Sequence, residues 1–266
     1  MNYLEEKIEG RLKEIIDYKI IELEEQKKSL KLEEILDQLD DNYQTRNFLQ
    51  ALSGEGVSLI AEVKKASPSA GDINTDVNIV DQAKKYESAG ANAISVLTDK
   101  KFFKGDLDFL QKIKNSVSIP VLRKDFIFDP YQVYQSKLAG ADAILLIATI
   151  LTDTGLKQLL DLSHELGMTC LVEAHNQADL YKALESGAKI IGINARDLKT
   201  FEINLQNVID LAGGVPPNKI LIAESGIKSK DDVVRLNQAG AKGILVGTTL
   251  MQAENLSEKI KELKLV

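Results

Sequence analysis

The stretch LAGADAILLI, residues 138–147, closes a helical segment with a glycine and opens an apolar run. The same phrase recurs as SAGANAISVL at 88–97, ESGAKIIGIN at 185–194 and QAGAKGILVG at 238–247. Its glycines, Gly90, Gly140, Gly187 and Gly240, lie 50, 47 and 53 residues apart. Glycine suits the left-handed backbone that terminates a helix. Self-similarity at a steady interval marks a repeated structural unit. Each interval holds two strand–helix units, so the phrase introduces every second strand.

The intervening strands follow from this frame. Apolar runs occur as VSLIAEV, AISVL, IPVLRK, AILLI, TCLVEA, KIIGIN, KILIAE and AKGILVG. Segments of helical period, such as VNIVDQAKKYESAG and TDTGLKQLLDLSHELG, separate them. Strands apolar on both faces belong to parallel sheets covered by helices. Eight such units predict an α/β fold of the closed (β/α)8 TIM-barrel type. The 266 residues match the roughly 250 that such a barrel takes. No G-x-G-x-x-G follows the first strand, which argues against an open dinucleotide-binding sheet.

Residues 1–50 are of another character. They are rich in Glu, Lys, Leu and Ile, with Gly10 alone of its type and no proline. Ile8, Leu12, Ile15, Ile16, Ile20 and Leu23 recur at helical spacing. Ser29 is placed to cap a second helix with Leu32, Ile35, Leu36 and Leu39 as its apolar stripe. The expectation is a helical extension over 1–50, packed on a barrel over 51–266, in a single domain.

Composition removes several function classes. Net charge is −7, and no basic stripe interleaved with aromatics is present, which excludes a nucleic-acid partner. No apolar run approaches the ~20 residues that span a bilayer. The charged N-terminus has no apolar core of a signal peptide. Cys170 is the single cysteine, set among Met168, Leu171 and Val172, and reads as a buried thiol in a reduced, cytoplasmic protein. No cluster has metal-ligand spacing, so no metal is expected.

In a TIM barrel the working face lies at the C-terminal strand ends. Those ends carry Glu62 and Lys64, Lys124-Asp125, Glu173, Asn194 with Arg196-Asp197, Glu224-Ser225-Gly226, and Gly247-Thr248-Thr249. Strand alternation puts Ile60, Glu62 and Lys64 on one face, and the apolar Leu59, Ala61 and Val63 on the other. The first set then faces the barrel interior. One charge at a strand end is ordinary. Five or six at the same end imply a site, because uncompensated burial costs several kcal/mol each. The turns at Ser225-Gly226 and Gly247-Thr248 follow the last two strands, where such barrels bind phosphate through backbone donors. Ser67 can add a hydroxyl from the neighbouring first strand. Phe102, Phe103, Phe126 and Phe128 sit in loops at the mouth, where aromatics hold flat apolar ligands. His175, two residues beyond Glu173, lacks an adjacent nucleophile and is left without a role.

The motifs AEVKKASPSAG, FFKGDLDFL, PVLRKDFIFDPYQVYQSKLAGADAILLI, LVEAHN, IGINARDLKTFEIN, IAESGI and GILVGTTLM lie in order along the chain. Together they resemble the indole-3-glycerol phosphate synthase family of tryptophan biosynthesis, from about Thr45 to near the C-terminus, in its monofunctional form. The resemblance implies a lyase that cyclises 1-(2-carboxyphenylamino)-1-deoxyribulose 5-phosphate, with loss of carbon dioxide and water, and without a cofactor. It implies Lys124 as general acid, Lys64 on the substrate carboxylate, and Glu173 as proton carrier. Glu62 would orient the lysines, while Asn194 and Arg196 position the intermediate. Phe103 and Phe126 would flank the anthranilate ring. Ser67, Ser225, Gly226, Gly247 and Thr248 would take the phosphate. The partner expected is this small molecule, acted on by a monomer.

Two other readings are weaker. An isomerase of phosphoribosyl anthranilate wants a Cys–Asp pair, and Cys170 sits mid-strand. A non-catalytic phosphosugar scaffold would not need Glu62, Lys64, Lys124 and Glu173 together. Whether the lysines lose or gain proton affinity is open at this level, since burial and neighbouring carboxylates act in opposite directions.

Overall fold

The computed structural model describes residues 3–40, 44–67, 71–72, 77–197, 200 and 202–266. Eight parallel strands close into a barrel. They are β1 Ser58–Val63, β2 Ala93–Leu97, β3 Val121–Lys124, β4 Ala143–Ile147, β5 Thr169–Ala174, β6 Ile190–Asn194, β7 Ile220–Glu224 and β8 Gly243–Val246. Each pairs with its sequence neighbours, and β1 closes on β8 through the register Ser58↔Gly243 to Ala61↔Val246. The TIM barrel expected from the repeat is therefore present, with a helix after each strand.

Local chemistry sets the helix ends. Asn78, Asp106, Asp129, Thr152, Asn176, Asn204, Ser229 and Asn255 each accept a hydrogen bond from the first turn of the following helix. Such caps satisfy donors that have no partner within the helix. At the other end, Gly90, Gly140, Gly187 and Gly240 all have φ between +86° and +115°. A side chain at these positions would be strained, which is why the repeat keeps its glycine.

Two helices precede the barrel, α1 Gly10–Ser29 and α2 Leu32–Gln38, followed by a short helix at Phe48–Ala51. Leu12, Ile15, Ile16 and Leu23 of α1 are buried as the spacing predicts. Ile20 is not: it is 40% exposed, and Lys19 occupies the buried stripe in its place. The 3.6-residue turn puts position 19 beneath positions 15, 16 and 23, and position 20 about 100° further round. Ser29 does not cap α2. It ends α1, its hydroxyl donating to Glu25 O at 2.9 Å. The second helix starts instead at Lys31, whose N–H donates to Glu34 Oε2 at 2.8 Å. Within α2, Ile35 is buried but Leu36 is 44% exposed.

Lys19 is the tie between extension and barrel. Its ammonium lies 2.9 Å from Asp125 Oδ1, 2.6 Å from Glu22 Oε2 and 3.6 Å from Asp99 Oδ2. Burial opposes that charge, but Asp125, Asp99 and Glu22 outweigh it and hold the lysine above its ordinary value. Asp125 is bound also by Arg123 at 3.0 Å and by the Thr98 hydroxyl at 2.6 Å. Removing one partner from a buried ion cluster strands the others. Lys19→Ala is expected to lower unfolding stability by about 3–5 kcal/mol, read from urea midpoints. A change within 1 kcal/mol would show that the cluster contributes little.

Candidate active site

The C-terminal strand ends enclose a cavity of about 1040 Å³, lined by residues of all eight strand–loop regions and by Leu12 and Ile15 of α1. At its floor lies Lys124, from the end of β3. Its Nζ donates to Glu173 Oε2 of β5 at 3.3 Å and to Glu224 Oε2 of β7 at 3.2 Å. The three side chains are nearly inaccessible, at 16%, 3% and 1% side-chain exposure. Beside them Lys64 Nζ lies 2.6 Å from Glu62 Oε1 of β1.

Burial alone would strip the proton from Lys124, but the carboxylates of Glu224, Glu173 and Glu62 overcome it and raise its proton affinity. The balance left open by the sequence thus falls on the side of a fully protonated ammonium. The two carboxyls diverge. Burial works against the charge of both, yet Lys124 and His175 hold Glu173 well below the usual carboxylate range. Glu224 goes the other way: burial and the Glu173 charge push it up, and Lys124 only partly opposes them. Two acidic groups this close cannot both ionise freely, so one keeps a proton.

Asn194, at the end of β6, is buried, and its Oδ1 accepts from the Arg196 N–H at 3.0 Å. Arg196 lines the same cavity, its guanidinium depressed by burial and supported by Glu62. Phe103 and Phe126 face each other with ring centroids 6.3 Å apart at 40°. Phe102 turns away and packs edge-on against Tyr18 of α1. Asp125, although next to Lys124, is engaged with Lys19 and Arg123.

Ser225, Gly226, Gly247 and Thr248 line the same cavity. Ser225 and Gly226 both take positive φ, 68° and 76°. Gly247 precedes the single-turn helix Thr248–Met251. The first N–H groups of that turn have no carbonyl within the helix to accept them. Thr249 is not available in the same way, since its hydroxyl donates to Ile227 O at 2.6 Å. The side chain of Ser67 lies outside the described residues. Among the described residues no cluster of His, Cys, Asp and Glu could hold a metal.

The family profile of indole-3-glycerol phosphate synthase matches residues 12–263. An enzyme of that name from Alkaliphilus metalliredigens is 48% identical over 254 residues, covering 95% of this chain and 97% of its own. Another from Dehalococcoides mccartyi is 48% identical, covering 95% and 99%. The chain belongs to the indole-3-glycerol phosphate synthase family. Among solved structures, 3-hexulose-6-phosphate synthase superposes with TM-score 0.62 at 14% identity, covering 79% of this chain and 99% of that one. A thiamine phosphate pyrophosphorylase from Pyrococcus furiosus gives 0.60 at 15%, covering 82% and 96%. These two share the barrel.

Two features of this indole-3-glycerol phosphate synthase fold were not read from sequence. Glu224 was visible at its strand end but received no role, although it touches Lys124 as closely as Glu173 does. Its signal was present: it occupies on β7 the terminal place that Lys124 occupies on β3. The second feature is Gly192, mid-strand in β6. A Cβ there would collide with Glu224 Oε1. Likewise a Cβ on Gly247 would lie 2.5 Å from Glu62 Oε1. These glycines make room for acidic side chains from the strand alongside. Gly192→Ala is expected to displace Glu224 and lower kcat by about 10²-fold, as a misplacement near 1 Å does, with the barrel's circular dichroism unchanged. Undiminished kcat would show that Glu224 can move without consequence.

Proposed function

We propose that the chain converts 1-(2-carboxyphenylamino)-1-deoxyribulose 5-phosphate to indole-3-glycerol phosphate, with Lys124 as the acid of ring closure and Glu173 as the base of the dehydration. The activity is that of the family, a carboxy-lyase step in tryptophan biosynthesis. The residue roles are our assignment. The observation that carries it is the contact of one buried ammonium with two buried carboxyls whose proton affinities diverge. Pairs of titratable groups pushed apart in this way fall into acid and base roles.

The chemistry follows from that arrangement. Lys124 stays protonated and supplies a proton to the substrate carbonyl oxygen as the ring carbon attacks. Lys64, steadied by Glu62, meets the substrate carboxylate; once the new ring bond has formed, that carboxylate departs as carbon dioxide and its bonding electron pair restores the aromatic ring. Glu173, held ionised, accepts the proton lost from the methylene carbon of the new five-membered ring when water is eliminated. Glu224, held neutral, is the nearby donor for the hydroxyl that leaves as water. Asn194 and Arg196 hold the sugar portion, and Phe103 and Phe126 hold the anthranilate ring. The phosphate sits against Ser225, Gly226, Gly247 and Thr248.

The cavity wall is acidic on balance: five basic and eight acidic side chains line it among the described residues. Recognition of a dianion therefore rests on backbone donors and on a few local cations, because most of the lysines are neutralised by the carboxylates that position them.

We infer further that the enzyme works as a cytoplasmic monomer; a reducing compartment suits Cys170, a buried free thiol whose pKa burial pushes up to about 12. No described helix is long and apolar enough to cross a membrane.

The product is an indole and the substrate is not, so turnover can be followed by indole fluorescence. Lys124→Ala is expected to abolish the signal with the fold intact. Glu173→Gln should reduce kcat by about 10²-fold or more, as loss of a proton-transfer group does. Near-normal turnover in either variant removes that residue from the mechanism. Substrate that binds without any fluorescence change would favour the scaffold reading.

A further inference from the structure

Behind Glu173 runs a chain of polar side chains that the reaction scheme above does not use. His175 follows β5, is buried to 8% side-chain exposure, and sets its Nε2 3.2 Å from Glu173 Oε1. Its Nδ1 lies 3.0 Å from the Thr149 hydroxyl. That hydroxyl donates to Asp179 Oδ2 at 2.6 Å. The same oxygen accepts from the His175 N–H at 3.1 Å and from the Asn176 side-chain amide at 3.0 Å. Asp179 is thus an acceptor three times over.

The proton count fixes the ring. A threonine hydroxyl has one proton, and here it is given to Asp179, so towards His175 it can only accept. Nδ1 must therefore carry a hydrogen. Nε2 makes no full hydrogen bond, and a buried polar atom in that condition needs a reason. A bare Nε2 would set its lone pair against a carboxylate oxygen. One proton between Nε2 and Oε1 turns that repulsion into attraction. The proton belongs to Nε2, and the contact falls on the oxygen of Glu173 that faces away from Lys124, since Oε2 is the one that Lys124 contacts.

Resting on the role given to Glu173 above, we propose that His175 is a positioning residue for this reaction. Oriented through Nδ1–H by Thr149 and Asp179, it sets Nε2 3.2 Å from Glu173 Oε1 and so holds that carboxylate in place beside Lys124. The direction of the Glu173 shift, to which His175 contributes, agrees. The charged groups facing this pair are Lys124 from β3, Glu224 from β7 and Asp179 from the helix Gln177–Glu185. None of these replaces a donor on Oε1.

The sign of the consequence is fixed. A carboxylate held below its ordinary value stays ionised as pH falls; without its donor it takes up a proton at higher pH. In His175→Leu the acid limb of kcat/KM is expected to move upward by about one pH unit, a tenfold loss at a fixed pH on that limb, with a smaller effect on the neutral plateau. Thr149→Val should move the limb in the same direction by less, and Thr149→Ser should restore it. The substrate's own ionisations are common to every variant and cancel. Independently of activity, 15N spectra of the imidazole, assigned against His164→Gln, should show a protonated Nδ1 and an Nε2 resonance that shifts in Glu173→Gln. A bare Nδ1 overturns the proposal, as does a pH-independent fall in kcat/KM with the limb unmoved. Either result leaves the Glu173 role standing, which only the Glu173→Gln kinetics address.

Discussion

An ammonium buried between two acids organises this site. Lys124, Glu173 and Glu224 belong to β3, β5 and β7, and Glu62, whose charge also bears on Lys124, belongs to β1. All four come from odd-numbered strands. In a closed eight-stranded barrel, alternate strands contribute side chains to one level. The charged group is thus the uppermost level of the barrel interior, with apolar residues such as Ile60 and Ile222 on the same strands below it. The geometry that fills the core in layers also delivers these charged groups to a common centre. No single charge in that layer is tolerable alone. Lys124 needs two acids to remain charged in a water-poor site, and the two acids need Lys124 and one retained proton to lie side by side.

Room for this layer is made on the even strands. Gly192 in β6 and Gly247 after β8 stand where a methyl group would meet Glu224 or Glu62. Glycine in a strand interior forgoes side-chain packing, and here the space is taken by acidic side chains from the neighbouring strands. The close fit also accounts for the low exposure of Glu224, 1%, and for its inability to avoid its neighbour by rotating outward. Position and proton affinity are therefore linked: the packing that fixes Glu224 in place is also the burial that raises its proton affinity.

Most of the barrel was legible because its signals are local and repeated. The glycine at each helix end requires a backbone angle that the structure shows, and the apolar runs require cover on both faces. The charged strand ends were legible as a set, because the parallel topology sends all of them to one side. What sequence reading missed depends on relations across the sheet. Gly192 has meaning only beside Glu224, 32 positions later in the chain. Ile20 and Lys19 show the same limit: hydrophobicity favoured the isoleucine, but Asp125 and Asp99 sit where the lysine can reach them. Ser29 failed as a cap because the favourable helical run simply continues through it. His175 was set aside because its partners, Thr149 and Asp179, lie on the preceding loop and the following helix, and a proton count needs all of them in view.

The N-terminal extension belongs to the site as much as to the fold. Leu12 and Ile15 form part of the cavity wall. Lys19, one turn further along α1, binds Asp125 and lies close to Asp99. Asp125 sits between Lys124 and Phe126 in sequence, and Asp99 caps the short helix that carries Phe103, accepting from the N–H groups of Phe102 and Phe103 at 2.7 and 3.2 Å. One buried lysine thereby fixes the loops that bear both facing aromatic rings. Phe102 against Tyr18 adds an apolar contact to the same junction. The barrel supplies the charged floor from its own strands, but the aromatic wall above it is held in place from α1. Shortening the chain to the barrel alone would take from Asp125 and Asp99 the cation they share, leaving Arg123 as the cationic partner of Asp125, and would remove Leu12 and Ile15 from the cavity wall.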